Sequence, residues 1–181
     1  MSEANIQPPT WLAPLRSALS QGQARTCLLG AHGSTAACAL TLLNNTRQGT
    51  PDRAGPCVVV TPNDDSAERI FNDLCFFHGL MGRPVEDLAW FPEWETLPYE
   101  ATAPHVGLIA HRMTTLHRLL INPPPILVTS VAAAMHRVIP RSTFEQAIFH
   151  FQTGAAFERE SLSTNLLRLG YRRVSVVEIP G

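Results

Sequence analysis

Short apolar runs alternate with longer amphipathic segments along this chain, and this alternation constrains the fold more than any other feature. The β-branched runs Cys57–Thr61 and Ile126–Thr129 have the length and composition of buried strands. Arg25–Leu29, which contains Cys27, is predicted to be a further buried strand, and Leu88–Phe91 is a candidate for another strand. Because strands separated by helices of ten or more residues pair in parallel, we predict an α/β fold: a parallel sheet with helices on both faces.

Two long helices are predicted from their apolar periodicity. The first follows Asn63, Asp64 and Asp65, whose side chains suit a helix amino terminus. Its apolar face comprises Ala67, Ile70, Phe71, Leu74 and Phe77. The second extends from about His105 to Ile121 and ends before Pro123–Pro125, because proline cannot continue a helix. Its apolar positions are Val106, Ile109, Met113, Leu116 and Leu120, with Arg112, Thr115 and Arg118 predicted on other faces.

Charge and cysteine content argue against several classes of function. The 181 residues carry 14 basic and 15 acidic side chains, and every basic residue is an arginine. A dedicated nucleic-acid surface normally shows a basic excess, which is missing here. Cys27, Cys38, Cys57 and Cys75 lack the spacing of a zinc site and are predicted to be reduced. With neither a signal peptide nor an apolar run of membrane-span length, we expect a cytoplasmic protein without a metal or a membrane partner.

The segment between the first two predicted strands contains a candidate phosphate-binding loop, which follows a strand and opens a helix. Its positions are Gly30, Gly33, Ser34, Thr35, Ala36 and Ala37. Against the pattern G-x-x-x-x-G-K-[ST], Thr35 replaces the second glycine, Ala36 the lysine, and Ala37 the serine or threonine. Alanine can neither reach the β- and γ-phosphates nor coordinate Mg²⁺. We therefore expect a vestigial loop, with no cofactor and no catalytic residue in this chain.

The most specific motif lies after the Leu88–Phe91 run. It comprises Trp94, Glu95, Thr96, Leu97, Pro98 and Tyr99. This segment resembles the W-E-T-L-P-Y segment of bacterial transcription-repair coupling factors. Pro104-His105 with its helix, the run Leu127–Val131 and the segment Gly154–Tyr171 are similar to the elements that follow in that family. The resemblance covers roughly residues 27 to 181.

The resemblance implies a fold and a set of partners. The fold would be a helicase-like α/β core of the phosphate-loop class, similar to the excinuclease protein UvrB, followed by the start of a second α/β domain. The function would be non-catalytic, serving the recruitment of the excinuclease protein UvrA through that second domain. ATP and Mg²⁺ would be bound only by the motor domains of the parent protein. RNA polymerase and DNA would likewise be contacted by other parts of the parent protein.

Composition shifts suggest three regions: an amino-terminal extension and helix in residues 1–24, the helicase-like domain in 25–146, and a truncated second domain in 147–181. In the last region we expect strands at Ala147–Gln152 and Arg172–Val177 and a helix at Glu158–Leu169. Arg172 and Arg173 lie close in sequence to the family's surface for UvrA. A solvated strand end is the simpler interpretation of these two arginines.

Two alternative functions remain open from the sequence. The same arrangement occurs in UvrB, so the chain could be an ATP-binding fragment of a repair helicase. Direct DNA binding would use aromatic side chains that can stack on bases, namely Trp90, Phe91, Trp94 and Tyr99. Since no basic run is interleaved with these aromatics, we predict that they pack against the sheet.

Overall fold

The computed structural model describes residues 9–47, 55–95, 103–149, 151–154 and 156–176. The chain divides into two compact units, Met1–His136 and Arg137–Gly181. None of the described helices is both long enough and apolar enough to cross a membrane. The domain boundaries inferred from composition stay predictions.

The first unit contains all the described strands and five of the described α-helices. The strands are β1 (Cys57–Thr61), β2 (Leu88–Phe91) and β3 (Ile126–Ser130). The helices are α1 (Ala13–Ser20), α2 (Thr35–Arg47), α3 (Asp64–Leu80), α4 (Val106–Ile121) and α5 (Val131–Met135). Short 3-10 turns at Thr10–Leu12 and Val85–Asp87 precede α1 and β2. The second unit contributes α6 (Arg141–Gln146) and α7 (Arg159–Arg168).

The three strands form one parallel sheet in the order β1-β3-β2. β3 is central and is buried at every position, as its continuous apolar run predicts. Cys57 of β1 and Leu88 of β2 both stand opposite Ile126 of β3, so the carboxyl ends of the strands meet at one edge of the sheet. The predicted strands at these three places are confirmed, and so is the parallel α/β class.

Helices cover both faces of the sheet. On one face α3 presents its predicted apolar side to β3 and β2, and α2 lies beside α3. The buried core there contains Ala37, Ala67, Leu74, Leu88, Ile126 and Val128. On the other face α4 and α5 cover a smaller core of Ala89, Phe91, Leu127 and Ala133. A third cluster joins Leu12 to Ala39 and Leu42 of α2.

The sequence signals that mark the ends of the two long helices, α3 and α4, are confirmed by the structure. Asn63 caps α3, because its side-chain oxygen accepts a hydrogen bond from the Ser66 amide at 3.0 Å. His105 takes the equivalent place before α4 and accepts from the Gly107 amide through Nδ1 at 3.1 Å. The α4 helix ends at Ile121, before the proline run.

Three predicted strands are wrong. Arg25–Leu29 has no regular structure; Leu29 is 85% exposed and Cys27 is exposed rather than buried. The described residues of Ala147–Gln152 and of Arg172–Val177 are also irregular. An extended apolar run becomes a strand only where a neighbouring strand accepts its backbone hydrogen bonds. Among the described residues, none of the three segments has such a neighbour.

Candidate functional site

Polar side chains gather where the three parallel strands end, the edge at which open α/β sheets usually bind ligands. Thr61 closes β1, Phe91 closes β2 and Ser130 closes β3. The buried Thr129 hydroxyl donates to the Phe91 carbonyl at 2.9 Å. The Thr61 hydroxyl lies 2.8 Å from the Asn63 carbonyl and 3.3 Å from that of Thr129. These hydroxyls therefore tie the ends of neighbouring strands together.

A chain of hydrogen bonds holds the backbone after β2 against two helix amino termini. The Glu93 amide donates to Asp64 Oδ1, in the first turn of α3, at 3.1 Å. The Ser130 hydroxyl donates to Glu93 Oε2 at 3.0 Å and accepts from the Ala133 amide at 3.1 Å, capping α5. Partial burial raises the pKa of Asp64, the Glu93 amide lowers it, and the Glu93 carboxylate raises it further.

Arg112 of α4 secures the same backbone segment from the other side. Its guanidinium carbon lies 4.0 Å from the Phe91 ring centre and 4.3 Å from the Trp94 ring centre, so the cation stands between two aromatic faces. Its Nη1 also donates to the Pro92 carbonyl. The side chain is 1% exposed, and burial lowers the pKa of Arg112, an effect that the charge of Asp64 opposes.

The burial of Arg112 was not predicted from the sequence, which placed this residue away from the apolar face of α4. Thr115 was missed in the same way; it is buried, and its hydroxyl donates to the Trp90 carbonyl at 3.1 Å. The available signal was positional: Arg112, Thr115 and Leu116 share a helix face by their spacing of three and four residues. An arginine on such a face, preceded by an aromatic-rich segment, is a candidate for ring stacking.

The strand-end cluster is a clamp on the backbone that follows β2. The Ser130 hydroxyl caps α5 and donates to the Glu93 carboxylate, so it links the end of β3 to that backbone. The clamp holds Trp94, the first residue of the signature segment, against Arg112 of α4, whereas Glu95 is exposed. Thr96, Leu97, Pro98 and Tyr99 lie outside the described residues.

The aromatic side chains near the clamp pack as predicted. Phe91 is buried in the core beneath α4, and Trp90 packs on the opposite face, with its ring centre 6.2 Å from that of Phe71. Trp94 is half-buried over Arg112. These three rings thus make contacts within the protein, and Tyr99, the fourth aromatic of the prediction, lies outside the described residues.

The residues of the candidate phosphate loop form a turn that leads into α2. Gly30 and Gly33 adopt positive φ values of 75° and 57°, the conformations that glycine permits at tight turns. The Thr35 hydroxyl donates to the His32 carbonyl at 2.7 Å, within the turn itself. Ala37 is 0% exposed and belongs to the same buried core as Ile126 and Val128.

The remaining members of this loop are more exposed. Ser34 is exposed directly before α2, and Ala36 is half-buried in the first turn of that helix. The Ser34 carbonyl accepts the Cys38 amide at 3.0 Å, which is the first i to i+4 hydrogen bond of α2.

An open groove in the second unit is the other candidate site. Its volume is about 750 Å³, and its lining includes Arg159, Glu160, Tyr171, Arg172 and Arg173. Three arginines against one glutamate make the groove positive. Tyr171 is hydrogen-bonded through its amide to the Leu166 carbonyl at 3.1 Å, after the Gly170 turn that ends α7. Within the described parts of the chain, His, Cys, Asp and Glu side chains form no group suited to a metal ion.

Comparison with known proteins identifies relatives of one kind. The chain is 34% identical to the transcription-repair-coupling factor of Escherichia coli strain K12 over 124 residues, which is 68% of the chain. It is 30% identical to the factor of Myxococcus xanthus over 128 residues and 30% identical to that of Mycobacterium tuberculosis over 132 residues. The chain belongs to the transcription-repair coupling factor family. The matches span about a tenth of the length of these relatives, 10% to 11%.

No family model matches the sequence. The identification therefore depends on the pairwise similarities, together with the parallel α/β fold that the family resemblance predicted. It agrees with the position of the signature segment, which begins shortly after β2.

Proposed function

We propose that this chain is a non-catalytic amino-terminal module of a transcription-repair coupling factor, serving the recruitment of the excinuclease protein UvrA to RNA polymerase stalled at DNA lesions. In this proposal the loop before α2 is a vestigial phosphate loop in a core related to the excinuclease protein UvrB. ATP, Mg²⁺, DNA and RNA polymerase are bound by other parts of the coupling factor.

The observation that carries the non-catalytic part of the proposal is the environment of Ala36 and Ala37. A phosphate loop needs a cationic side chain and a Mg²⁺-binding hydroxyl at these two positions. Both side chains are methyl groups, and that of Ala37 is buried in the core. No neighbouring lysine can substitute, since all 14 basic residues of the chain are arginines.

Calorimetric titration with Mg-ATP tests this part. We expect no measurable heat of binding at nucleotide concentrations up to about 1 mM, where an affinity of 1 mM corresponds to about −4 kcal/mol. A UvrB protein with an intact phosphate loop serves as the positive control. A micromolar dissociation constant for this chain would support the alternative, an ATP-binding fragment of a repair helicase.

The groove of the second unit supports the recruitment part. Arg172 and Arg173 follow the Gly170-Tyr171 turn and line a positive groove together with Arg159 of α7. Arginine suits bidentate recognition of carboxylates and is common at protein interfaces. We therefore assign these arginines to the surface that faces UvrA, with an acidic patch on the partner.

Affinity measurements between UvrA and the coupling factor carrying these residues test the recruitment. Replacing both Arg172 and Arg173 by glutamate should weaken binding at least tenfold, or about 1.4 kcal/mol, because each change puts like charges across the interface. The matched control replaces two exposed arginines of the first unit, Arg25 and Arg69, by glutamate, which changes the net charge by the same amount. Equal affinities for the two double variants would exclude the groove, and the absence of any complex would exclude the recruitment itself.

A further inference from the structure

The carbonyl groups on the outer side of β2 face the helix α4. β2 stands at one end of the described sheet, with β3 on its inner side. The Phe91 carbonyl faces inward, since it accepts a hydrogen bond from the Thr129 hydroxyl of β3 at 2.9 Å. Because backbone groups alternate along a strand, every second carbonyl of β2 and its flanks faces the other way. This outer row comprises the carbonyls of Glu86, Leu88, Trp90 and Pro92.

Two arginines of α4 bind the ends of this outer row. At the first end, Arg118 donates through Nη1 to the Leu88 carbonyl at 3.1 Å and through Nη2 to the Glu86 carbonyl. At the other end, Arg112 donates through Nη1 to the Pro92 carbonyl. A guanidinium group presents several donors in a fixed fork, so one arginine can serve two carbonyls. The two arginines therefore occupy three of the four carbonyls.

Shorter side chains of α4 bind the middle of the outer row. The Thr115 hydroxyl donates to the Trp90 carbonyl at 3.1 Å, and His111 Nε2 lies 3.0 Å from the same oxygen. Because a carbonyl can only accept, a hydrogen bond here requires that His111 carries a proton on Nε2. The His111 ring also meets the Trp90 ring edge to face, with the ring centres 5.6 Å apart. All four outer carbonyls are thus hydrogen-bonded to α4.

The order of these side chains matches the geometry of a helix that lies along a strand. His111, Thr115 and Arg118 are spaced by four and three residues, so they share one face of α4. A helix rises about 1.5 Å per residue and a strand about 3.3 Å. The helix therefore covers about 9 Å from Arg112 to Arg118, whereas the backbone covers up to about 20 Å from Glu86 to Pro92. Long arginines at both ends bridge this difference, and a short threonine suffices in the middle.

We propose that α4 seals the outer edge of β2 against strand addition. Edge strands can pair with strands of other chains, and a covering helix is one way in which proteins prevent this. The cover is specific here, because α4 provides each outer carbonyl with a side-chain donor. A further strand could pair with β2 only by displacing two arginines, a threonine and a histidine. β2 is therefore the closed end of the sheet, a role that is independent of the recruitment of UvrA.

Removing the donors while keeping the helix tests the seal. The unsealed variant replaces three donors by apolar groups of similar size: His111→Phe, Thr115→Val and Arg118→Met. Arg112 is kept, because its loss would also break its two ring contacts. The control variant makes the same three kinds of substitution at exposed residues: His32→Phe, Thr114→Val and Arg69→Met. Circular dichroism shows whether both variants keep their helices and strands.

Sedimentation of the 181-residue chain over a concentration series measures self-association, and the infrared band of intermolecular β-sheet shows whether strands have paired. The unsealed variant should associate through strand pairing at a concentration about tenfold lower than the wild type and the control variant require. A folded unsealed variant that associates no more than the control overturns the proposal. Association without the band of intermolecular β-sheet overturns it as well.

A milder substitution decides the question if the unsealed variant does not fold. Arg118→Lys keeps the charge, but lysine carries all its donors on one nitrogen and cannot reproduce the fork. The carbonyl carbon resonance of Glu86 or Leu88 should move upfield, because one of the two loses its hydrogen bond, while that of Phe91 should stay in place. Unchanged resonances of both outer carbonyls would show that Arg118 does not hold the outer row, and the proposal would be refuted.

Discussion

Removing the Arg112 side chain should destabilise the first unit, and the structure allows the effect to be estimated. In Arg112→Ala, two ring contacts disappear, at 4.0 Å and 4.3 Å, each contributing about 0.5–2 kcal/mol at a desolvated site. A charged hydrogen bond to the Pro92 carbonyl is also lost, at about 1.5–3 kcal/mol. The cost of burying the cation, visible in the lowered pKa of Arg112, opposes these losses. We expect a net loss of about 3 kcal/mol in the free energy of unfolding.

Arg112→Met distinguishes the contribution of side-chain volume to stability from the contribution of charge. Methionine fills much of the space between the rings of Phe91 and Trp94 and removes the buried cation, but it leaves the Pro92 carbonyl without its donor. Replacing a buried ion by an apolar group of similar size is often nearly neutral. We therefore expect a loss of about 1 kcal/mol, clearly smaller than that of alanine.

Urea unfolding monitored by tryptophan fluorescence measures both effects, because Trp11, Trp90 and Trp94 all lie in the first unit. Arg118→Ala is the matched control: Arg118 is also on α4 and donates to the Leu88 and Glu86 carbonyls, but no ring stacking is involved in these contacts. Because these two bonds are partly exposed, the loss should be about 1–2 kcal/mol. If Arg112→Ala costs less than about 1 kcal/mol, or if methionine is worse than alanine, the clamp does not stabilise the fold as described.

Three further predictions concern buried residues of the first unit. Burial lowers the pKa of His78 below 6.5, so the unfolded chain binds the proton first as pH falls. The free energy of unfolding should therefore decrease below about pH 6.5. His78→Gln should reduce the dependence of this free energy on pH, as measured by urea titrations at several pH values. Ala37→Leu should cost about 1–3 kcal/mol in the same assay because the Ala37 side chain is fully buried in the core, whereas Ala110→Leu on the exposed side of α4 should be nearly neutral. Thr129→Val keeps the shape of the side chain but removes the donor to the Phe91 carbonyl. A thermal melt should show a loss of about 1 kcal/mol in the free energy of unfolding. An unchanged melting temperature would mean that this hydroxyl does not stabilise the strand ends.

Much of the fold was predictable because it depends on local patterns. The face of α3 was predicted residue by residue, since helical periodicity is written into the order of apolar side chains. The strands β1, β2 and β3 were found from their short apolar runs. The family resemblance depended on three weaker segments and on one specific motif, four of whose six residues lie outside the described parts of the chain.

The clamp was not predictable in the same way. Its residues come from the start of α3, the end of β2, the start of α5 and the middle of α4, four places that are far apart in sequence. Arg112 was assigned to another face because arginine is rarely buried, and only the rings of Phe91 and Trp94 make its burial favourable.

The sequence by itself determined where helices and strands can form, since periodicity, caps and proline act over a few residues. It also determined that the loop before α2 has no lysine and no Mg²⁺-binding hydroxyl at the decisive positions. Only the tertiary structure decided which apolar runs become strands: Cys57–Thr61 is paired with β3, whereas Arg25–Leu29 is not paired with any described strand. The physical reason is that a strand is completed by hydrogen bonds to a neighbour, and the presence of that neighbour depends on the whole fold rather than on the run itself.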